Sequence, residues 1–455
     1  GRFEHGQTQI IRPDETRIAP PLLAGREALL LFIPEQRIDA RGDLRLALSV
    51  DDRLLGVLPM RPPAELPQYL EQGLTETPLD PYSRRAWSTF IPWSWVQEGA
   101  VLRVGHEGDE GLMVQSLTLE NLGAPHLFTV NRIKMLLFGE GGESVATTPG
   151  PKHVRDFFGS VSAAAMELVD SSPWVFDSIV ENTSEGPRWV HSEVERLAAA
   201  SRDNRYGLFR HHIAFRHSLA NTGRGLSMTD EGHGNNSPYG FGTSVGMGWI
   251  RDQNGNLVDI NNGGVAGGWT GWTALWNSDC GNGFIHEGGH AQTMLHFTGG
   301  TAQRWGIAEE YPQDGVNLAA HPAAYDSSRR ELRTWYRVNA SGPVRSDGAL
   351  VGKRDPMNGG ESSNAITCFP QFTGYHARKS QAWMQSSATL REVDGEAGAY
   401  LWNIETHSYD PTEVAAAYQA PVAIGVPVVT LVGTLGNLDE VCQTYPPYFA
   451  ASGNV

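Results

Sequence analysis

The chain has 455 residues and sets 35 Lys and Arg against 51 Asp and Glu, a formal charge of −16. Hydrophobic residues make up 40% and charged residues 19%, which excludes a wholly disordered chain; with no basic tract, nucleic acid is excluded as an electrostatic partner. The length suits two or three domains, and 52 Gly, 27 Pro and 13 Trp describe a loop-rich globular protein.

The opening GRFEHG has no apolar signal core, so an export signal is expected to have been removed or never to have existed. Residues 1–138 read as a β-sandwich accessory domain. Leu44, Leu46, Leu48 and Val50 alternate, Asp51-Asp52-Arg53 supply a turn, and Leu54–Met60 returns, the pattern of a hairpin. Further short strands are predicted at Ala86–Ile91, Val101–Val104 and Leu112–Leu119. The Gly- and Pro-rich residues 139–153 read as a linker. A second domain, which carries the motifs described below and is read from them as catalytic, is predicted over 154–400, with 401–455 as its C-terminal extension. A helix is predicted over Val154–Val169, with Phe157, Val161, Ala164, Ala165 and Leu168 on one face. A second is predicted over Ser192–Ser201, with Ser192 and Glu195 as a capping box. Asp252–Asp259 has calcium-loop composition, but Leu257 replaces the glycine such a loop needs, and a hairpin turning at Asn254-Gly255 explains it better. The apolar runs Ala28–Pro34 and Pro421–Gly433 fall short of the ~18 residues of a membrane span. Of three cysteines, Cys280 and Cys368 flank the two motifs below and are the favoured pair over Cys442.

The segment GNGFIHEGGHAQTMLHF, Gly281 to Phe297, contains His286, Glu287 and His290 as HExxH. On a helix, residues four apart share a face, so two imidazoles can reach one Zn²⁺ while Glu287 stands beside the open coordination position as a general base. His296 completes the HExxHxxxxxH spacing of metzincins, although Thr293 occupies the place where those proteins carry glycine. Glu309 and Glu310 are spaced as the glutamate of thermolysin-like sites would be, and Glu310 is the alternative third ligand. Met357, in GKRDPMNGGESS, is the candidate Met-turn methionine. Gly288 and Gly289 cost about 1 kcal/mol each inside a helix, so something is expected to pack very close to them. His211, His212 and His217 lack carboxylate or Cys partners at ligand spacing and read as ordinary surface or core histidines.

HEGGHAQTMLHFTGG, DPMNGG, Phe369–Gln385 and Gly425–Gly436 together resemble the StcE, TagA and dictomallein family of secreted bacterial zinc metalloproteases, and QTQIIRPDE and REALLLFIP resemble its N-terminal part. The resemblance runs over most of the chain and is patchy between Gly139 and Gly281. It implies an α+β multidomain fold, a β-sandwich followed by a metzincin-like domain with an active-site helix and Met-turn. It implies His286, His290 and His296 as zinc ligands, Glu287 as base and Met357 in the Met-turn. It also implies extracellular secretion and mucin-type O-glycosylated protein substrates; the lack of a basic tract and of a long apolar run adds the expectation of no nucleic-acid partner and no membrane insertion. Trp189 and His191 match a family segment that meets the sugar. Phe297 stands where mucin-cutting relatives carry Tyr, which weakens the glycan expectation relative to peptidase activity. The alternative is a catalytically weak glycoprotein-binding adhesin with a structural zinc site.

Overall fold

The computed structural model describes residues 1–13, 19–38, 43–72, 79–106, 113–138, 151–170, 174–183, 186–192, 195, 198, 242–251, 257–259, 272–276, 282–292, 294, 296, 324–334, 355–358, 367–386, 388–412, 423–431, 433–434, 442–444 and 446–454.

Two four-stranded antiparallel sheets open the chain. One orders its strands β2-β1-β3-β6: β1 is Arg2–Gly6, β2 Ile10–Ile11, β3 Ala28–Ile33 and β6 Trp87–Ile91. The other runs β5-β4-β7-β8: β4 is Leu44–Val50, β5 Arg53–Pro59, β7 Val101–His106 and β8 Met113–Thr118. The strands expected around residues 86–91, 101–104 and 112–119 are these last three elements, β6 to β8. The β4–β5 hairpin turns on Asp51 (φ 48°) and Asp52 (φ 61°). Two consecutive left-handed residues make the tight turn whose twist matches the strands it joins. Leu44, Leu46 and Leu48 face inward and meet Leu30, Phe32, Leu102 and Val104 in a core between the two sheets. Strand β3 is apolar throughout because its other face is covered as well. Leu29 and Leu31 pack with Tyr325 and Leu332 of the later hairpin β17 (Ala324–Asp326) and β18 (Glu331–Arg333).

The next sheet is mixed. Strand β9 (Leu127–Leu137) takes β10 (Ala165–Asp170), β11 (Trp174–Phe176) and β14 (Gly242–Arg251) as parallel neighbours. Strand β14 pairs in turn with β15 (Leu257–Asp259), antiparallel, and β16 (Trp272–Trp276), parallel. The β14–β15 pairing is the hairpin read from Asn254-Gly255, whose turn itself lies outside the described residues. Strand β9 falls within the first 138 residues, yet it belongs to this mixed sheet and not to the sandwich. Between β9 and β10 runs helix α1, Pro151–Ser160.

The helix predicted over 154–169 is therefore corrected at both ends. It begins three residues earlier, at Pro151, a residue suited to a first helical turn. It stops at Ser160, and Ala165–Asp170 is a strand. The apolar periodicity read as one helix spans two elements. The helix C-terminus is captured by Arg26, 1% exposed, which donates to the carbonyls of Phe158 (2.9 Å), Val161 (2.6 Å) and Ala163 (2.7 Å). Burial lowers the Arg26 pKa to about 10, against the pull of Asp326 and Tyr325. These guanidinium donors satisfy carbonyls at the open end of the helix and just beyond it, and they clip the sandwich to α1.

Hairpin β12 (Ile179–Thr183) and β13 (Gly186–Val190) follows β11. Downstream lie helix α2 (Asn282–Ala291), hairpin β17–β18, and helix α3 (Gly374–Ser386). A three-stranded sheet comes next: β19 (Thr389–Val393), β20 (Glu396–Asn403) and β21 (Ser408–Pro411). The last elements are β22 (Ile424–Thr430) paired with β25 (Tyr448–Asn454), and β23 (Gly433–Thr434) paired with β24 (Gln443–Thr444). The described fold is thus multidomain and mostly β, and its three α-helices share one apolar core, to which they contribute Phe157, Ile285 and Tyr375.

Candidate active site

Helix α2 is amphipathic in the useful sense: Ile285, 1% exposed, enters the core with Phe128, Phe157, Phe369 and Tyr375, while His286 on the neighbouring position stays partly exposed. The helix packs on β16 and on a 3₁₀ turn, Pro356–Asn358. It stops where the motif requires. The Met294 N–H donates to the Gly289 carbonyl (2.9 Å), the bond across six residues that closes a Schellman cap. The chain then turns back. Thr293, the position at which such a cap favours glycine, lies outside the described residues, as does Phe297.

The return brings His296 to His286. Their Nε2 atoms are 3.2 Å apart and their ring centroids 5.0 Å. On its other side the His286 Nδ1 donates to the Pro356 carbonyl at 2.7 Å, which leaves Nε2 of the neutral ring with its lone pair facing His296. Desolvation lowers the His286 pKa and, with the neighbouring His296, outweighs the Pro356 bond, so the neutral form is favoured. Two nitrogens bound to one tetrahedral ion at about 2.0–2.1 Å stand about 3.3–3.4 Å apart. The pair's 3.2 Å separation fits that edge, and an Nδ1–carbonyl bond is the kind of outer contact that orients an imidazole for metal binding.

Glu287 and His290 lie on α2, but their side chains fall outside the description, so no group of three ligands is defined among the described residues. Glu310 and the cluster His211, His212 and His217 lie outside it too. Cys368 is disulfide-bonded and Cys442 is an exposed free thiol; Cys280, the expected partner, is also outside the described residues.

Met357 is buried (1% exposed) beneath α2. A Cβ on Gly289 would stand 2.3 Å from the Met357 Sδ, so the close neighbour expected from the helix glycines is this methionine at Gly289. Gly289→Ala is accordingly expected to lower stability by about 1–3 kcal/mol through overpacking, despite alanine's better helix propensity. Truncating Met357 as well should recover part of that loss in a thermal-unfolding cycle. A more stable Gly289→Ala protein would mean that the contact yields freely.

The motif reading missed the group that holds this turn. Asp355 is fully buried and accepts the Met357 N–H (2.8 Å) and His376 Nδ1 (2.8 Å) on Oδ1, and the Thr373 N–H (2.7 Å) on Oδ2. Desolvation alone would raise its pKa. The attraction and hydrogen bond of His376 and the two backbone N–H groups prevail, holding the carboxyl below its usual range. Thr373 also caps α3, its Oγ1 accepting the His376 N–H at 3.3 Å. The available signals were a carboxylate immediately before the Pro-Met turn and a histidine three residues into a Thr-capped helix.

Trp189 and His191 end the β12–β13 hairpin as a stacked pair, centroids 6.2 Å apart and planes at 10°, with Trp189 37% exposed. Half of the expected capping box is present: the Ser192 Oγ accepts the Glu195 N–H (3.2 Å), but the Glu195 carboxylate accepts the N–H of His191 (2.8 Å), one residue before Ser192.

Helix α2 bears the HExxH segment beside the buried 3₁₀ turn that carries Met357, and comparison with known proteins gives both the class, a peptidase, and the family. The description of peptidase M66 matches residues 76–389, and the chain belongs to that family. It is 24% identical over 471 aligned residues to the ToxR-activated gene A lipoprotein of Vibrio cholerae serotype O1, covering 100% of this chain and 44% of the relative. It is also 24% identical over 441 residues to dictomallein of Burkholderia mallei, covering 89% of this chain and 58% of that protein. The chain thus spans about half the length of these curated relatives. The resemblance carried by the motifs is borne out. No helix among the described residues is long and apolar enough to cross a membrane.

Proposed function

We propose that the chain is a secreted, zinc-dependent endopeptidase that cleaves O-glycosylated, mucin-type proteins, with His286, His290 and His296 as metal ligands and Glu287 as general base. In this reading α2 is the active-site helix and Met357 the Met-turn of a metzincin-like domain. The carrying observation is the convergence of the His286 and His296 Nε2 atoms at 3.2 Å, across a chain reversal, with Nδ1 of His286 turned to a backbone carbonyl.

Zinc, when bound, supplies Lewis acidity toward the scissile carbonyl and lowers the pKa of a water toward 7. The protein's own part is positional and proton-handling. The Pro356 carbonyl holds the His286 tautomer, Met357 sets the depth of α2, and Asp355 fixes the turn carrying both. Glu287 follows the first ligand in sequence. Its carboxylate takes a proton from the attacking water and delivers it to the departing amine. Trp189 and His191 offer an exposed ring face and a polar neighbour, which suits stacking on a pyranose.

The test is incubation with an O-glycosylated mucin and its deglycosylated twin, with and without chelator, read by mass spectrometry. Chelator-sensitive fragments confined to the glycosylated substrate are expected. Tight binding with no fragments would instead favour the adhesin. Metal content separates the third-ligand alternatives: His296→Ala should lose zinc and Glu310→Ala should keep it. The reverse result would transfer the ligand role to Glu310.

A further inference from the structure

A second cleft lies well apart in sequence from the α2 motif, between the β-sandwich and the β19–β21 sheet, with a volume of about 500 Å³. That is within the ~300–1,000 Å³ range of small-molecule sites. Its walls are aromatic. Trp93, in a 3₁₀ turn of the sandwich, is 66% exposed. Across the cleft, Trp402 and Tyr409 meet edge to face at 5.0 Å, and the Arg391 guanidinium lies 3.8 Å from the centre of the Tyr409 ring. Tyr409 is held in place by donating to His126 Nδ1 at 2.8 Å.

Three side chains lining the cleft carry buried nitrogens with no hydrogen-bond partner: Arg391 Nε, Trp402 Nε1 and His407 Nδ1. Such groups are costly to leave unpaired, and a structure that keeps three around one cleft has hydrogen bonds to offer a ligand. Their polarity is mixed. Arg391 and Trp402 can only donate. The His407 Nε2 lies 3.5 Å from Glu98, and the ring's other nitrogen, Nδ1, is left without a protein partner. The single carboxylate at the rim, Glu98, is engaged by the Asn121 and Leu122 N–H groups, each at 2.8 Å. One guanidinium beside one carboxylate gives no field for a polyanion. Indole side chains together with unpaired nitrogens on three lining residues suit a ring that bears hydroxyls, since a hydroxyl both donates and accepts and so can pair with any of them.

We propose that this cleft binds a saccharide, as a site separate from the one that carries peptide hydrolysis. The sugar ring lies on Trp93, and its hydroxyls pair with Trp402, Arg391 and His407 after small side-chain rotations. Sugar capture here would hold a glycosylated chain to the protein independently of the α2 motif.

The experiment uses the full chain carrying Glu287→Gln, so that no cleavage intervenes. Lactose, N-acetyllactosamine, maltotriose and an unglycosylated Ser/Thr-rich peptide are titrated by calorimetry and by ligand-observed NMR. Saturable binding of at least one saccharide is expected, weakened about tenfold by Trp93→Ala and by Trp402→Phe, the size of one aromatic or hydrogen-bonding contact. Trp93 is exposed, so its variant should melt as the parent does. Three results would overturn the proposal: no saccharide binding at millimolar concentration, binding indifferent to both substitutions, or binding of the peptide alone. None of them reads hydrolysis, so this proposal and the peptidase reading fail separately.

Discussion

Replacing Glu287 by glutamine is expected to abolish peptide cleavage, by about 10³-fold or more in kcat/KM, while stoichiometric zinc is retained. The amide matches the carboxylate in size but cannot accept a proton at neutral pH, and positioned general bases contribute about 10²–10⁴-fold. Retention of metal is expected from the proposed ligand set. His286 and His296 converge on one point and His286 is aligned by Pro356, none of which involves residue 287. His286→Ala is the informative contrast, because it should lose both metal and activity. Metal analysis of the purified variants and fragment counting on one substrate decide the matter. Cleavage by Glu287→Gln within tenfold of the parent would remove Glu287 as base. Loss of zinc from that variant would make Glu287 a ligand.

What could be read without coordinates follows the range of the forces involved. The β4–β5 hairpin was legible because alternation and an Asp-Asp turn are local properties. The HExxH spacing was legible because helix geometry alone puts positions 286 and 290 on one face. Gly289 announced a close neighbour but not which one; Met357 is identified only by the contact in space, because the two residues are separated by 67 others in the chain. The helix predicted over 154–169 failed because a 3.6-residue periodicity does not mark where a chain leaves a helix for a parallel strand. The deciding partners, β9 and Arg26, are distant in sequence. Asp355 and His376 were passed over for the same reason. A carboxylate in a polar loop looks solvated until folding buries it among donors from three places in the chain.

Asp355→Asn should destabilise the protein by about 3 kcal/mol or more and weaken zinc binding about 10–100-fold, although residue 355 is not a proposed ligand. Asp355 presents only acceptors to three donors: the N–H groups of Met357 and Thr373 and the Nδ1 of His376. An asparagine must turn an NH₂ toward at least one of them, placing donor against donor in a site with no exposed surface. The loss then reaches the metal through Pro356, whose carbonyl orients His286 and which sits between Asp355 and Met357. The same carboxylate gives a pH dependence of definite sign. Its folded-state pKa is lowered, so its contribution is complete above the unfolded value of about 3.9 and is lost as the pH falls through the folded value. Parent and Asp355→Asn unfolding curves should therefore converge as acid is added and differ by a constant amount near neutrality. A gap that widens toward low pH, or an Asp355→Asn variant with parental stability and parental zinc affinity, would show that the turn is held by other means.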